Sequence, residues 1–455
     1  MKRIEFLQLS AGLGAFLSFP AGSKLATDDI DEMLNEVRGD GSAVGLKAPA
    51  ISEVKVAMIG MGNRGKTLVE MFELLIQNKQ ARIQVLCDLS EDKFESSLAF
   101  LEGKQNAPDT IAKGKDAWKE VVGRDDVDLV IICTPWELHA EMALYAMEKG
   151  KHVASEVPAA YTLDDCWKII QLAEEKRVHH IMLENCCYND EELWMLQMVS
   201  EGVFGDLTHA ECAYIHDLRQ LMIDDKYYQD QWRLYHHEDR NGNLYTTHGL
   251  GPVAMYFDIG RGDYFSHLVS MSSREAALSA ATKGTSLPQS FAQGDMNTTL
   301  IRTFGGKTVM LQFDTHTGRP YSRINTLCGT KAVHQGYPSK LYLDHGPTWD
   351  WHRWVDESTY QEYRERYKHP FWKTMGDAAR EKSIGHGGMD FIMIWRLIDC
   401  LNKGEALDLN VYDGMLWSAI TPLSELSVKQ MSAPVQIPDF TAGTWKQERG
   451  LEIMR

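Results

Sequence analysis

The chain has 455 residues, 44% of them hydrophobic and 24% charged, and 47 Lys and Arg against 64 Asp and Glu give a formal net charge of −17. That length exceeds one compact core, so two domains are expected, with enough apolar content to bury both. The acidic balance, with no Lys/Arg cluster, excludes a nucleic-acid partner. Beyond the N-terminus no apolar run approaches the roughly 20 residues needed to cross a bilayer, so no membrane insertion is expected.

Met1-Lys2-Arg3, an apolar run over residues 6–20 and the small residues Ala21-Gly22-Ser23 have the order of an export signal over residues 1–25. Arg3-Ile4-Glu5-Phe6-Leu7-Gln8 is similar to a twin-arginine signal with Ile4 in the second arginine's place. A periplasmic or secreted location is therefore expected, by a route that stays open. Residues 26–50 are mixed and contain Gly and Asp, which reads as a linker or arm.

From Val54 strand-like runs alternate with helical stretches: strands over 54–59, 82–87, 127–133, 152–155 and 180–183, helices over 67–77, 93–101, 139–149 and 163–176. This alternation predicts an α/β domain over residues 51–186, built as a doubly wound parallel sheet of the Rossmann type. The first loop reads Gly60-Met61-Gly62-Asn63-Arg64-Gly65. Glycines at this spacing let backbone approach a pyrophosphate and seat it at a helix N-terminus. Asp88 ends the next strand about 20 residues beyond Gly65, where a carboxylate accepts from ribose hydroxyls and favours NAD over NADP. The third expected strand ends in Thr134-Pro135-Trp136-Glu137-Leu138-His139, at the sheet edge where ligands of such folds bind. Trp136 and His139 are expected to border the cofactor there.

The second domain, residues 187–455, carries strand-like segments over 207–214, 265–272, 297–303, 308–315 and 325–328 without intervening helices, and Gly305-Gly306 reads as a hairpin turn. It predicts an α+β domain with a large, mostly antiparallel open sheet, closed by helices over 389–401 and 413–428. Chemistry-bearing candidates here are Tyr214, Arg233, the run Tyr245-Thr246-Thr247-His248, and Tyr321. His248 suits acid–base work because its ordinary pKa of about 6.5 keeps both protonation states within reach. Tyr245 and Tyr321 can donate protons or hold sugar hydroxyls, and Trp232, Trp349, Trp351 and Trp354 suit stacking on a pyranose face. The eight cysteines form no CxxC pair, so neither a disulfide framework nor a metal site is expected.

The stretch from Thr134 through Gly150-Lys151-His152-Val153 to Glu156-Val157-Pro158 resembles the glucose-fructose oxidoreductase and inositol dehydrogenase (Gfo/Idh/MocA) superfamily. Its usual Glu-Lys-Pro turn carries a Lys that acts on the substrate hydroxyl. Apolar Val157 stands in that place, so another group must serve as acid or base. The segments GMGNRG, CTPWELH, SEVPAA, LENCCY, QWR, YTTHGLGP, GRPYSR and HGGMDF resemble one branch of this superfamily, the NAD-dependent glycosyl hydrolase family 109 typified by α-N-acetylgalactosaminidase. The resemblance implies that Asn63, Arg64, Asp88, Trp136, Glu137, Leu138, His139, Glu156, Val157 and Asn185 contact NAD. It likewise implies that Tyr214, Arg233, Tyr245, Thr246, Thr247, His248 and Tyr321 line the sugar site, with His248 and Tyr245 catalytic.

An exported enzyme has no soluble NAD pool, so a tightly bound cofactor must be regenerated in each turnover. The implied chemistry is redox-neutral: oxidation at C3 of the sugar, removal of the acidified C2 proton, elimination at C1, water addition and reduction. The expected partner is a glycan with a terminal N-acetylhexosamine. The superfamily often pairs through the open face of its second-domain sheet, which leaves a homodimer open. A sugar dehydrogenase acting on free pyranoses and a non-catalytic NAD-binding protein are the competing readings.

Overall fold

A computed structural model describes residues 34–347, 349–381 and 386–454, so the expected export signal lies outside the described residues. Six short strands, β1 (Val54–Ile59), β2 (Ala81–Cys87), β3 (Asp109–Ile111), β4 (Leu129–Ile132), β5 (His152–Ser155) and β6 (His180–Met182), form a parallel sheet in the order β3-β2-β1-β4-β5-β6. Continuous apolar sequence suits strands covered on both faces, and all four residues of β4 are buried. The order reverses between β1 and β4, which opens a crevice at their carboxyl ends. The loop Gly60–Gly65 enters α1 (Asn63–Glu70) beside this crevice, and α2 (Trp136–Glu148) and α3 (Leu163–Lys176) follow β4 and β5.

The expected helix over 67–77 is two helices, α1 and Glu73–Gln77, separated at Met71 and Phe72, whose amides bond three residues back to Leu68 and Val69. Strand β3 and the helix Ala117–Val122 were not anticipated. Two of the three residues of β3 are exposed, so this edge strand lacks the apolar run by which its neighbours are legible. The strand ending at Ile132 is consequently the fourth in the chain, not the third.

The second sheet has eight strands: β7 (Leu207–Ile215), β8 (Phe265–Ser272), β9 (Asn297–Thr303), β10 (Thr308–Asp314), β11 (Thr326–Gly329), β12 (Ala332–Gln335), β13 (Lys340–Leu343) and β14 (Val435–Gln436). Their order is β13-β12-β11-β7-β10-β9-β8-β14. Only β7 and β10 pair in parallel among these neighbours. Gly306, at a φ of +90°, makes the turn between β9 and β10, a conformation for which glycine lacks the Cβ penalty. Val309, Leu311 and Phe313 are buried on one face, whereas Met271 and Leu300 on the other are 64% and 50% exposed.

Helices α4 (Trp232–Asp239), α5 (Thr247–Tyr256), α6 (Met389–Lys403) and α7 (Val411–Lys429) complete the packing. The last begins with a capping box, Asn410 accepting from the Asp413 amide and the Asp413 side chain accepting from the Asn410 amide. It packs on α3 and β6 of the parallel sheet and also on β8 of the second sheet. Residues 34–50 lie against the same junction: Ala43 is buried and its amide donates to the Tyr412 hydroxyl at 3.1 Å.

Helix α5 presses so closely on β7 that a Cβ at Gly249 would lie 2.6 Å from the Ala213 nitrogen. Gly249→Ala gains about 1 kcal/mol of helix propensity, but overpacking against backbone costs up to about 3 kcal/mol. A net destabilisation of about 2 kcal/mol is expected in urea unfolding, and an unchanged midpoint would refute this close approach.

Candidate active site

Each glycine of the first loop has its own reason to be there. Gly60 has a φ of +88°, and a Cβ on it would lie 2.7 Å from the Cys133 carbonyl oxygen of the neighbouring strand end. A Cβ on Gly65 would lie 2.0 Å from the Gly60 oxygen, so the turn closes only with glycine at both ends. Gly62 has open space where its Cβ would be, the side from which a ligand can reach backbone. Helix α1 has no acidic residue in its first turn, leaving its positive end free for an anion. These features fit a dinucleotide pyrophosphate. Asp88 has a second task that the sequence did not suggest: its Oδ2 accepts from the Met61 amide at 2.6 Å and its Oδ1 from the Leu89 amide at 2.7 Å. It therefore braces the loop from the end of β2.

The remaining residues expected at the cofactor divide by what they touch. Arg64 donates from Nε to Glu156 at 2.6 Å and from both Nη atoms to Asp390 at 2.8 and 2.9 Å. Asn185 donates to the same Asp390 carboxylate at 2.7 Å, and His386 lies against it at 2.7 Å. Burial alone would raise Asp390, but Arg64 and His386 outweigh it and hold the carboxyl well below its ordinary range. Asp390 was missed; its only signal was its place in the HGGMDF segment. His139 is buried with Nδ1 2.8 Å from the Pro158 oxygen and Nε2 2.7 Å from the Thr134 oxygen. It ties two loops together and presents neither nitrogen to a ligand. Glu137 meets His236 at 3.4 Å, Leu138 packs against the core, Asn63 is exposed, and Val157 is buried.

Opposite these loops lies an aromatic cluster built from the second domain. Tyr214, at the end of β7, has its ring 4.3 Å from Tyr245, 5.4 Å from His248 and 6.2 Å from Tyr321. Trp136 reaches in from α2, 5.9 Å from Tyr245 and 5.3 Å from Trp232. The Arg233 guanidinium sits 4.8 Å from the Trp136 ring, 4.9 Å from Tyr245 and 5.4 Å from Tyr228, held by its Nη1 bond to the Tyr228 hydroxyl at 3.1 Å. Its Nε and Nη2 are buried without a hydrogen-bond partner. Cation–π attraction offsets part of that cost, but unsatisfied guanidinium donors in a native site call for an acceptor, such as ligand oxygens.

The acid–base chain is the sharpest feature. Glu184, fully buried just after β6, accepts from His248 Nδ1 at 2.7 and 3.0 Å, while the Tyr245 hydroxyl lies 3.4 Å from His248 Nε2. Burial pushes Glu184 up, yet His248 more than offsets it and the carboxyl is held below its ordinary value. Burial, then Tyr214, pushes Tyr245 well above the usual phenol value, so it stays protonated and can donate. Glu184 was not anticipated, although a carboxylate closing an apolar strand at the ligand edge was a readable signal. Glu184, Cys186 and His248 bring three possible metal-ligand atoms within 4.8 Å. Burial raises the Cys186 thiol far above neutrality, and Glu184 and His248 satisfy each other directly, an arrangement suited to holding a proton.

Thr246 donates to the Trp417 oxygen at 2.7 Å, tying the start of α5 to α7, and Thr247 is buried beside it. One correction concerns the tryptophans. Trp232 joins the cluster, but Trp349 and Trp351 stack on each other at 5.5 Å beyond β13, with Trp349 bonded to the Tyr342 hydroxyl. Trp354 follows in the same segment, and none of these three has a ring contact with the cluster among the described residues. His216, by contrast, was missed and belongs there: Nδ1 lies 3.1 Å from the Tyr214 hydroxyl and its ring 5.1 Å from Tyr321.

Comparison with known proteins matches residues 54–183 to the oxidoreductase family, NAD-binding Rossmann fold, and residues 188–447 to the glycosyl hydrolase 109 C-terminal domain. A glycosyl hydrolase family 109 protein of Shewanella sp. (strain W3-18-1) is 44% identical over 91% of this chain and 90% of its own length. A protein of Shewanella oneidensis named alpha-N-acetylgalactosaminidase is 42% identical over the same shares of the two chains. Among solved structures, a levoglucosan dehydrogenase in complex with NADH and levoglucosan superposes with a TM-score of 0.63 at 19% identity, covering 85% of this chain and all of that one.

Removing Asp390 leaves both Nη atoms of Arg64 and the Asn185 amide without their acceptor, with only Nε still paired to Glu156. The Arg64 side chain keeps 23% of its surface exposed, so Asp390→Ala is expected to cost about 3 kcal/mol, the low end for breaking a buried pair. Because the Asp390 carboxyl is held below its ordinary value, its contribution is complete above about pH 4. It is lost as pH falls through the lowered value. The stability gap between wild type and variant, read by urea unfolding, should therefore narrow in acid; a gap that widens would refute the assignment.

Proposed function

This chain belongs to glycosyl hydrolase family 109, and from that membership we propose that it is an NAD-dependent glycosidase releasing terminal α-linked N-acetylgalactosamine. The observation that carries the reading is the Glu184–His248–Tyr245 chain beside a turn whose apolar Val157 offers no acid or base. The Gly60–Gly65 loop and the N-terminus of α1 would hold NAD, which when bound would supply reversible oxidising chemistry at C3 of the sugar. The ketone at C3 acidifies the C2 proton, and His248, held in orientation by Glu184, takes it. Tyr245 polarises the sugar oxygen beside it. Arg233 gives its unpaired donors to sugar hydroxyls or the acetamido oxygen, and the aromatic walls exclude water.

Cleavage through an oxocarbenium ion needs one carboxylic acid kept protonated and one free carboxylate. Here Glu184 is held below its ordinary value by His248, while Glu156 and Asp390 are tied to Arg64. The carboxylates are committed, which favours the elimination route. A cycle that restores its own cofactor would also serve an exported enzyme, and a periplasmic or secreted location is part of this proposal.

Hydrolysis of an aryl N-acetyl-α-galactosaminide in D₂O is expected to place deuterium at C2 of the released sugar, with no net gain in absorbance from NADH. Accumulation of NADH from a free pyranose without glycoside cleavage would favour the sugar dehydrogenase reading instead. Glu184→Gln is expected to lower kcat by about 10²–10⁴-fold with KM little changed; a KM effect alone would rule out its acid–base role.

A further inference from the structure

Elimination at C1 moves a second proton. As the C1–O bond breaks the departing oxygen must gain one, and the incoming water must later lose one. His248 is engaged with Glu184 and Tyr245, which leaves this task unassigned.

A second imidazole stands in the same cluster. His216 directly follows β7, and Tyr214 lies between the two histidines, its ring 5.4 Å from His248 and 5.8 Å from His216. The Tyr214 hydroxyl fixes the orientation of His216 through Nδ1 at 3.1 Å, and Tyr321 meets the ring edge-on at 5.1 Å. Nε2 has no hydrogen-bond partner recorded among the described residues. His216 is half-buried, whereas Glu184 is fully enclosed. His216, like His248, keeps part of its surface open to solvent, so an alcohol can leave and water can enter beside it.

We propose that His216 is a further catalytic residue, giving a proton to the departing aglycone oxygen and taking one from the water that replaces it. This rests on the elimination route proposed above. The Nε2–H bond breaks as the proton joins the departing oxygen, which keeps the C1–O electron pair. The pair left at C2 by proton removal becomes the C1=C2 double bond. The imidazole then accepts a proton from water as its oxygen adds to C1, and the double-bond pair returns to C2, where His248 restores the proton. No oxidant beyond the one that acts at C3 is required. Burial, Arg233 and His248 hold His216 below its ordinary value, which makes its charged form a stronger acid.

The test compares purified wild-type holoenzyme with His216→Gln and His216→Asn, the second placing its amide near the position of Nδ1, which meets the Tyr214 hydroxyl. Substrates are the methyl and 2,4-dinitrophenyl N-acetyl-α-galactosaminides, and deuterium at C2 is measured alongside kcat/KM in D₂O. Both variants should lose about 10²–10³-fold on the methyl glycoside but under about 10-fold on the dinitrophenyl one, whose phenolate leaves without a proton, while C2 exchange continues. Retained NAD and an unshifted Tm identify folded variants. Equal losses on the two glycosides with C2 exchange intact overturn the role of His216 and leave the elimination route standing. Cleavage by the wild type without C2 exchange overturns the route itself, and this inference with it.

Discussion

The carboxylate of Asp390 is the point on which the two halves of this protein agree. It comes from the second domain, at the start of α6, yet its partners are Arg64 of the dinucleotide loop and Asn185 just past β6, and Arg64 in turn holds Glu156 of the turn after β5. Three loops at the carboxyl edge of the parallel sheet are thereby referred to one anchor. Each is short, and none has a core of its own to fix it. A bidentate guanidinium–carboxylate pair supplies what packing does not, a defined distance and plane.

The polar groups of the cleft divide by partnership. Among the described residues, the carboxylates of the cleft named here are committed: Glu184 to His248, Glu156 and Asp390 to Arg64, Glu137 to His236. The cation Arg233 is not, since two of its nitrogens lack partners and its nearest neighbours are aromatic faces. In a buried site a guanidinium keeps its charge, so the cleft offers donors to a neutral, oxygen-rich ligand without presenting anionic groups that would compete for them. Phenols whose pKa is raised by burial, Tyr214, Tyr245 and Tyr321, add donors of the same kind.

Much of this was legible in the residues, for identifiable physical reasons. Strands β1, β5, β8 and β9 have the bounds expected of them because each is a continuous or alternating apolar run closed by turn residues. Strands β3, β12, β13 and β14 escaped because they are two to four residues long and lie at or near sheet edges, where polar side chains are tolerated and periodicity has no length in which to show. The glycine loop could be read since its constraints are local. Glu184 had a local signal, the carboxylate closing an apolar strand, but its partner could not be read, nor could those of Asp390 and His216, because they lie 64, 326 or 2 residues away and only folding reveals which. Even the nearest of these, His216 beside Tyr214, depends on the way the chain leaves β7. Trp349 erred in the other direction: its side-chain type suits a sugar, but it lies beyond β13 at the edge of the sheet, bonded to Tyr342.

Helix α7 has a consequence for how the chain behaves as a whole. It is buried along almost its entire length and serves as a wall for α3 and β6 on one side and β8 on the other. The boundary between residues 183 and 188, at which two family profiles meet, is thus no seam in the interior. A fragment ending there would expose the apolar flank of α3 and β6 to water, and the remainder would keep a helix with half its contacts missing. The two halves therefore share part of one apolar interior. Residues 411–429 must be packed in place before the apolar flank of α3 and β6, and with it the edge of the cofactor cleft, is covered.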